Sequence, residues 1–145
     1  MFLDASAVIA ILGEELDAPL LLARLDAADT PFAVSPLSLF EAVIGLARKK
    51  AVITGHARPS TELLQQAQHA VDSFVRDLDA REIDVTAEIG RKAREAATRF
   101  GKVAGHSAKL NFGDCFAYAC AKTLRVPLLF KGNDFSLTDV NEAEK

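Results

Sequence analysis

The sequence predicts an α/β fold in which a central parallel sheet carries helices on both faces. Short apolar segments alternate with pairs of segments of helical periodicity, in the order β α α β α α β α α β. The segment VPLLF is an unbroken apolar run, which is typical of a strand buried inside a parallel sheet. The chain has 145 residues, of which 50% are hydrophobic and 26% charged, so one domain can bury a substantial core. We assign residues 1–140 to this domain and residues 141–145 to a flexible tail.

The first part of the chain predicts a strand followed by two helices. The strand is FLD, at residues 2–4, and it ends in a carboxylate. A helix over ASAVIAIL follows and stops at Gly13. The second helix lies in ELDAPLLLARLDAAD, where Pro19 suits the first turn. Its predicted buried stripe consists of Leu16, Leu20, Leu21 and Leu25.

The middle of the chain repeats this order. The strand is the segment TPFAVSP, which two prolines bound. Ser38 is predicted to cap the helix LFEAVIGLARKK, whose two terminal lysines complement the helix dipole. Ser60 or Thr61 begins the next helix, ELLQQAQHAVDSFVRDL.

The last part of the chain predicts two more strands with two helices between them. The first strand is REIDV, where apolar and polar residues alternate. Thr86 caps the helix AEIGRKAREAATRF, and Asn111 caps the helix FGDCFAYACAKTL. The strand VPLLF follows, and Val140 begins a further short strand.

Cysteine, histidine and hydropathy patterns exclude several kinds of site. Cys115 and Cys120 are five residues apart, on different faces of a helix, which predicts small core residues and no disulfide. The three histidines lack the spacing of a zinc site. No apolar run approaches the roughly 20 residues of a membrane helix. The N-terminus has no basic region before its apolar run, so we expect no signal peptide and a cytoplasmic location.

Four acidic residues are predicted at the carboxyl edge of the sheet, where ligands of open parallel sheets bind. Asp4 ends the first strand, and Asp134 follows the last long strand. Glu41 and Asp114 begin helices that pack on the sheet. Carboxylates that lie close together must bind protons or share a cation. Ligands that are all oxygen atoms select Mg²⁺ or Mn²⁺, which in proteins support phosphodiester hydrolysis by a metal-activated water.

Each of these acids also has a local structural explanation. Asp114 lies three residues after a helix cap, where the helix dipole favours an acid. Glu41 completes a capping-box pattern, SLFE, with Ser38. Asp134 can serve as a turn residue in GNDF. Only the joint placement of the acids points to a site.

Four segments in order carry a resemblance to a known family. They are FLDAS, SPLSLFEAVIGL, LNFGDCFAYACAK and PLLFKGNDFSLTDV. The chain resembles the PIN-domain family, and most of all its VapC-type ribonuclease toxins, from residue 2 to about residue 140. The resemblance implies an α/β/α sandwich and a Mg²⁺- or Mn²⁺-dependent endoribonuclease that leaves 3′-hydroxyl and 5′-phosphate ends. It also implies a VapB-type antitoxin partner, a homodimer, and transfer RNA as a common substrate.

The resemblance also assigns site residues. Asp4 corresponds to the first acid of the family and Ser6 to its hydroxyl partner. Glu41 and Asp114 correspond to the second and third acids. Asp134 is the fourth, and Asn133 is a supporting group beside it.

Basic and apolar surface residues suggest contacts with partners. The net charge of −3 is low for a nucleic-acid-binding protein, but four of the acids belong to the predicted metal site. The predicted phosphate contacts are Arg48, Lys49, Lys50, Lys109 and Lys131. The predicted walls of a groove for an antitoxin helix are Val8, Ile9, Leu12, Leu16 and Leu20.

Two other functions remain open at this point. Phosphatases of the haloacid dehalogenase type also end their first strand in an Asp, but they carry a second acid two residues later, where this chain has Ser6. The chain could also be an inactive binding module for an antitoxin or an RNA. The presence of all four acids argues against the second function.

Overall fold

The computed structural model describes residues 1–141, and within this range the predicted order of strands and helices is confirmed. The strands are β1 (Phe2–Leu3), β2 (Ala33–Val34), β3 (Arg81–Glu82) and β4 (Leu128–Leu129). The helices are α1 (Ala5–Leu12), α2 (Ala18–Asp26), α3 (Pro36–Ile53), α4 (Thr61–Asp77), α5 (Ala87–Phe100) and α6 (Phe112–Leu124). Two 3₁₀ turns cover Lys102–Ala104 and Asp134–Leu137. Residues 142–145 of the predicted tail lie outside the described residues.

The sheet is parallel throughout and has the order β3-β2-β1-β4. Phe2 on the central strand β1 aligns with Ala33 on β2 and with Leu128 on β4. From β1 the chain builds the sheet outward to one side and then returns to add β4 on the other side. The strand order therefore reverses between β1 and β4, and a crevice forms at the carboxyl ends of these two strands.

Helices cover both faces of the sheet, which confirms the predicted α/β class. Successive strand residues point to opposite faces. Leu3, Val34 and Leu129 therefore pack against α1, α2, α3 and α4, while Phe2 and Leu128 pack against α5 and α6. Cys115 and Cys120 are buried, unbonded thiols on α6, so their prediction as small core residues is confirmed.

The cap of α3 differs from the prediction. Ser35, and not Ser38, is the N-cap, because Pro36 occupies the first helical position, where proline's fixed φ suits the helix. The Ser35 hydroxyl accepts from the Ser38 backbone N–H at 3.2 Å, and the Ser38 hydroxyl accepts from the Ser35 backbone N–H at 2.9 Å. The capping box thus joins two serines. Glu41 lies one turn further along α3 and is not part of a cap.

The predicted stripe of α2 is wrong at two of its four leucines. The helix begins at Ala18, so Leu16 precedes it and is fully exposed, and Leu20 is also exposed. Ala18, Leu21 and Leu25 form the buried face, because residues three and four apart lie on one side of a helix.

The predicted ends of the sheet are also corrected. REIDV forms a strand only over Arg81–Glu82, at the exposed edge of the sheet. Val140 does not begin a strand, and lies buried in a turn after the second 3₁₀ element. Asn141, the first residue of the predicted tail, binds the backbone of Leu128 through its side chain, with Leu128 N–H donating at 2.8 Å. Among residues 1–141, no helix has the length and apolar character to cross a membrane.

Candidate active site

Asp4 lies at the point where β1 ends and α1 begins. Its backbone is extended, and its side chain caps α1. The Ser6 backbone N–H donates to Asp4 Oδ2 at 2.9 Å, and the Ser6 hydroxyl donates to the same oxygen. The side chain is buried, with 4% of the residue exposed. A cap at the end of the central strand therefore holds a carboxylate inside the protein.

Ser6 joins the carboxyl ends of β1 and β4. Its hydroxyl accepts a hydrogen bond from the Lys131 backbone N–H at 3.1 Å while it donates to Asp4. The Asp4 backbone N–H in turn donates to the Leu129 carbonyl at 2.9 Å. The turn that carries Asp4 and the loop that follows β4 are thus fixed to each other.

Asp114 lies in the first turn of α6, and its predicted cap is confirmed. Asn111 caps the helix, and its Oδ1 accepts from the Asp114 N–H at 3.0 Å. Asp114 Oδ2 accepts from the Asn111 N–H at 2.8 Å, which completes a capping box. This bond falls on Oδ2, so the second oxygen of the carboxylate is available to a cation.

Glu41 reaches from α3 to the start of α6. Its carboxylate lies against Gly113, so closely that a Cβ atom at this position would overlap both carboxylate oxygens. Gly113 is buried and directly precedes Asp114. The missing side chain at Gly113 therefore makes the space that Glu41 occupies, and this space adjoins the third predicted acid.

The four acids, here called the acidic cluster (Asp4, Glu41, Asp114 and Asp134), lie close enough for their charges to interact. The pKa of Glu41 is raised to about 7, mainly by burial and in addition by the charges of Asp4 and Asp114. The pKa of Asp114 is raised to about 6: burial is the main cause, the charges of Asp4 and Asp134 add to it, and the hydrogen bond from the Asn111 backbone opposes it. Burial also raises the pKa of Asp4, against the Ser6 hydrogen bonds. Residues distant in sequence thus share one strongly negative region.

Within residues 1–141, no Lys, Arg or His forms a salt bridge with a member of the acidic cluster. No salt bridge within this range therefore neutralises these carboxylates, and their oxygen atoms fit a hard divalent ion. No three His, Cys, Asp or Glu side chains in the same range form a ready-made metal cage. Mg²⁺ does not require such a cage, because it keeps several waters and is usually bound through one or two carboxylates.

Asp134 and Asp114 line one cavity of about 390 Å³. Asp134 is exposed and begins the second 3₁₀ turn, and Asn133 precedes it with an exposed side chain. Lys109, a predicted phosphate contact, lies on the wall of this cavity. Lys102 and His106 also line it, and sequence reasoning missed both. The sequence feature that could have identified them is the glycine-containing loop GKVAGHSAKL, which lies directly before the cap of α6.

The other predicted phosphate contacts are placed differently. Lys49 and Lys131 both bind the carboxylate of Glu15, and Lys49 does so at 2.6 Å. Arg48 and Lys50 lie in the second half of α3, about two turns beyond Glu41. The structure therefore places only Lys109 of the five on the cavity of Asp114 and Asp134.

The predicted groove residues divide into two groups. Val8 is buried in the core under α1, so it cannot form the wall of a surface groove. Ile9 and Leu12 are partly buried, and Leu16 and Leu20 are exposed. An apolar surface therefore remains around the connection between α1 and α2.

We expect the metal-free protein to lose stability as the pH rises from about 5 to 8. The folded-state pKa values of Glu41 and Asp114, about 7 and about 6, exceed their usual values of 4.5 and 3.8. At these two groups the folded state binds more protons than the unfolded state, so their contribution to stability is fully present below the usual values and is lost as the pH rises through 6 and 7. Glu15 and Asp139 have lowered pKa values and titrate below this window.

Urea unfolding in EDTA at pH 5, 6, 7 and 8 measures this dependence. Glu41→Gln removes a group whose folded-state pKa is about 7 and should flatten the curve between pH 6 and 8. A urea midpoint that rises with pH over this range would contradict the raised pKa values of Glu41 and Asp114.

One family and several relatives match almost the whole chain. The PIN domain family matches residues 1–141. The chain is similar to a VapC ribonuclease of Rhizobium meliloti, with 46% identity over 139 residues, which cover 96% of this chain and 98% of that protein. It is also similar to ribonuclease VapC28 of Mycobacterium tuberculosis, with 39% identity over 143 residues and coverage of 99% and 97%. A ribonuclease VapC of Mycolicibacterium smegmatis is 38% identical over 141 residues, which cover 97% of each chain.

Proposed function

The chain belongs to the PIN-domain family, and we propose that it is a Mg²⁺- or Mn²⁺-dependent endoribonuclease, the toxin of a toxin–antitoxin pair. The observation that carries this proposal is the acidic cluster, in which Asp4, Glu41 and Asp114 have raised pKa values and whose four members form no salt bridge among the described residues. The names of the relatives support RNA as the substrate. The proposed place of action is the cytoplasm.

The proposed ligands of the divalent ion are Asp4 and Asp114, with Glu41 and Asp134 completing the negative region. A bound divalent ion lowers the pKa of water and offsets charge on the phosphate oxygens. This donor set contains only carboxylates from the acidic cluster, which suits Mg²⁺ or Mn²⁺ better than a softer metal.

The residues of the chain itself have distinct proposed tasks. Ser6 orients Asp4, because its hydroxyl and its backbone N–H both donate to Oδ2. Glu41 has a pKa of about 7 before any ion binds, so its carboxylate can take up or release a proton near neutral pH. Lys102 and Lys109 border the cavity of Asp114 and Asp134, where they can bind phosphates on either side of the reacting one.

The alternative as a phosphomonoesterase is disfavoured by the contacts of Ser6. In that mechanism Asp4 would be the nucleophile, and an acid two residues later would protonate the leaving group. Here the Ser6 hydroxyl donates to Asp4 and accepts from the Lys131 N–H, so it holds Asp4 in place and supplies no acid to the leaving group. An inactive binding module would not need Asp4, Glu41 and Asp114 together, because carboxylates that are at least partly buried and form no salt bridge among the described residues are costly for the fold.

We also propose partners of two kinds. A VapB-type antitoxin would cover the apolar surface around Leu16 and Leu20 and present a cation to the acidic cluster, as the naming of the relatives suggests. The proposed assembly of the toxin is a homodimer.

RNA cleavage tests the proposed function. Purified protein is incubated with total RNA, including transfer RNA, in Mg²⁺, in Mn²⁺ or in EDTA, and the ends of the products are mapped. We expect cleavage only with the metals, and products with 5′-phosphate and 3′-hydroxyl ends, because water and not the 2′-hydroxyl is the proposed nucleophile. Cleavage in EDTA, or 2′,3′-cyclic phosphate ends, would overturn the proposal.

A further inference from the structure

Glu15 lies just after α1 and binds two lysines from distant parts of the chain. Its side chain is 14% exposed. Oε1 accepts from Lys49 Nζ at 2.6 Å, and Oε2 accepts from Lys131 Nζ. The two lysines are 34 and 116 residues from Glu15 in sequence. One carboxylate thus ties together the end of α1, the end of α3 and the loop after β4.

The backbone around Glu15 is built to hold this carboxylate in place. Gly13 ends α1, and the methylene groups of Lys49 pack so closely on it that a Cβ atom there would clash. Glu14 adopts a left-handed conformation with φ of 52°, and the Glu15 N–H donates to the Ala10 carbonyl at 2.9 Å. The chain turns back on α1, and the Glu15 side chain reaches Lys131 in the loop after β4.

Lys131 has a second contact, and this contact leads to the acidic cluster. While its ammonium group binds Glu15, its backbone N–H donates to the Ser6 hydroxyl at 3.1 Å. That hydroxyl donates to Asp4 Oδ2. Hydrogen bonds therefore link Glu15 to Lys131, Lys131 to Ser6, and Ser6 to Asp4. Residues 131–134 are exposed and include Gly132 at φ of 92°, so few other contacts restrain this loop.

We propose that Glu15 is a positioning residue for the acidic cluster, which it orients by anchoring Lys131 and, through Lys131, the Ser6 hydroxyl and the loop that carries Asp134. That the acidic cluster binds a divalent ion is taken from the proposed function, on which this inference rests. It also changes the role of Lys131. Glu15 and Asp17 offset the charge of its ammonium group, the latter at 3.9 Å, so Lys131 acts as an anchor and not as a phosphate contact.

The first test measures the affinity for Mn²⁺ alone, without RNA, by electron paramagnetic resonance. Glu15→Gln and Lys131→Met should each weaken Mn²⁺ binding by about 10- to 100-fold, the usual effect of losing a group that orients a metal ligand. The double variant should be no weaker than either single variant, because both changes break one series of contacts. Lys49→Met is the matched control, since it removes the other lysine of Glu15 but leaves the loop after β4 untouched; its affinity should stay within about threefold of the unmodified protein.

The outcomes separate the two proposals. If the unmodified protein binds Mn²⁺ and both Glu15→Gln and Lys131→Met match it, the positioning role is wrong and the proposed function stands. An unmodified protein that binds no Mn²⁺ overturns both. Equal losses in Lys49→Met and Lys131→Met would mean that Glu15 acts through general stability, which also overturns the positioning role.

The second test distinguishes an anchor from a phosphate contact at Lys131. Binding of a single-stranded RNA is measured in EDTA against salt concentration. A lysine that neutralises one phosphate contributes about 0.7 to the slope of log affinity against log salt. Lys109→Met should reduce the slope by this amount, and Lys131→Met should leave it unchanged. A reduced slope in Lys131→Met would overturn the anchor role.

Discussion

Replacement of Asp4 by Asn is expected to lower RNA cleavage by about 10³-fold while the protein remains folded. A metal ligand contributes several kcal/mol of transition-state stabilisation, and each 1.4 kcal/mol corresponds to about a factor of ten in rate. Asn lacks the negative charge that holds a divalent ion. It retains an oxygen that can accept from the Ser6 N–H and hydroxyl, and Asn caps helices as well as Asp does.

The stability of this variant should change in the opposite direction. Burial raises the pKa of Asp4, so the charged form is unfavourable in the folded protein at neutral pH. Asn removes this charge, and we therefore expect the unfolding temperature in EDTA at pH 8 to equal or exceed that of the unmodified protein. Loss of activity with gain of stability is the mark of a buried functional charge.

Asp139→Asn is the matched control for Asp4→Asn. Asp139 accepts from the Tyr118 hydroxyl at 2.6 Å and from Arg99 at 3.2 Å, away from the acidic cluster. The same chemical change there should cost about 1 kcal/mol of stability and leave cleavage unaltered. Full cleavage activity in Asp4→Asn, or a fall in its unfolding temperature by more than about 3 °C, roughly 1 kcal/mol in a domain of this size, would contradict the role that we assign to Asp4.

The order of the elements and most helix caps could be predicted from the sequence because their signals are local. Thr86 and Asn111 lie three residues before the backbone N–H groups that they accept from, and the hydrophobic period shows where each helix runs. The cap of α3 was misplaced because two serines near Pro36 offer competing patterns. Proline at the first helical position decides in favour of Ser35.

The acidic cluster could be predicted in outline for a similar reason. Parallel strands bring their carboxyl ends to one edge, so Asp4 and the loop of Asp134 had to lie near each other once the strand order was known. The contact of Glu41 with Gly113 joins opposite halves of the chain, and the bonds of Glu15 to Lys49 and Lys131 span 34 and 116 residues. Such contacts depend on the packing of helices, which no local pattern encodes.

Replacement of Gly113 by Ala is expected to lower cleavage by about 100-fold, because it displaces Glu41 from the start of α6. A Cβ atom at Gly113 would occupy the position of the Glu41 carboxylate. The carboxylate then has to move away from Asp114, and small misplacements of groups in a site commonly cost about this much in rate. The clashing atoms are the end of a flexible side chain that can move aside, so we expect a loss of less than about 1 kcal/mol of stability.

Gly90→Ala provides the matched control, since Gly90 lies inside α5 and a Cβ atom there would meet nothing within 4 Å. Alanine is a better helix former than glycine by about 1 kcal/mol, so Gly90→Ala should be at least as stable as the unmodified protein and equally active. The two variants make the same change in two helices, and they should differ both in stability and in the rate of cleavage.

A double variant shows whether the effect of Gly113→Ala acts through Glu41. Glu41→Ala in the Gly113→Ala background removes the clash, so it should restore the stability that Gly113→Ala loses, while cleavage stays low because the second acid is gone. Chemical unfolding and cleavage rates of the two single variants and the double variant complete the cycle, and coupling of about 0.5 kcal/mol or more is expected for side chains in contact. Two results would mean that Glu41 does not need the space at Gly113: additive effects of the two substitutions on stability, or cleavage by Gly113→Ala at the rate of the unmodified protein. The position of Glu41 beside Asp114 would then have another cause.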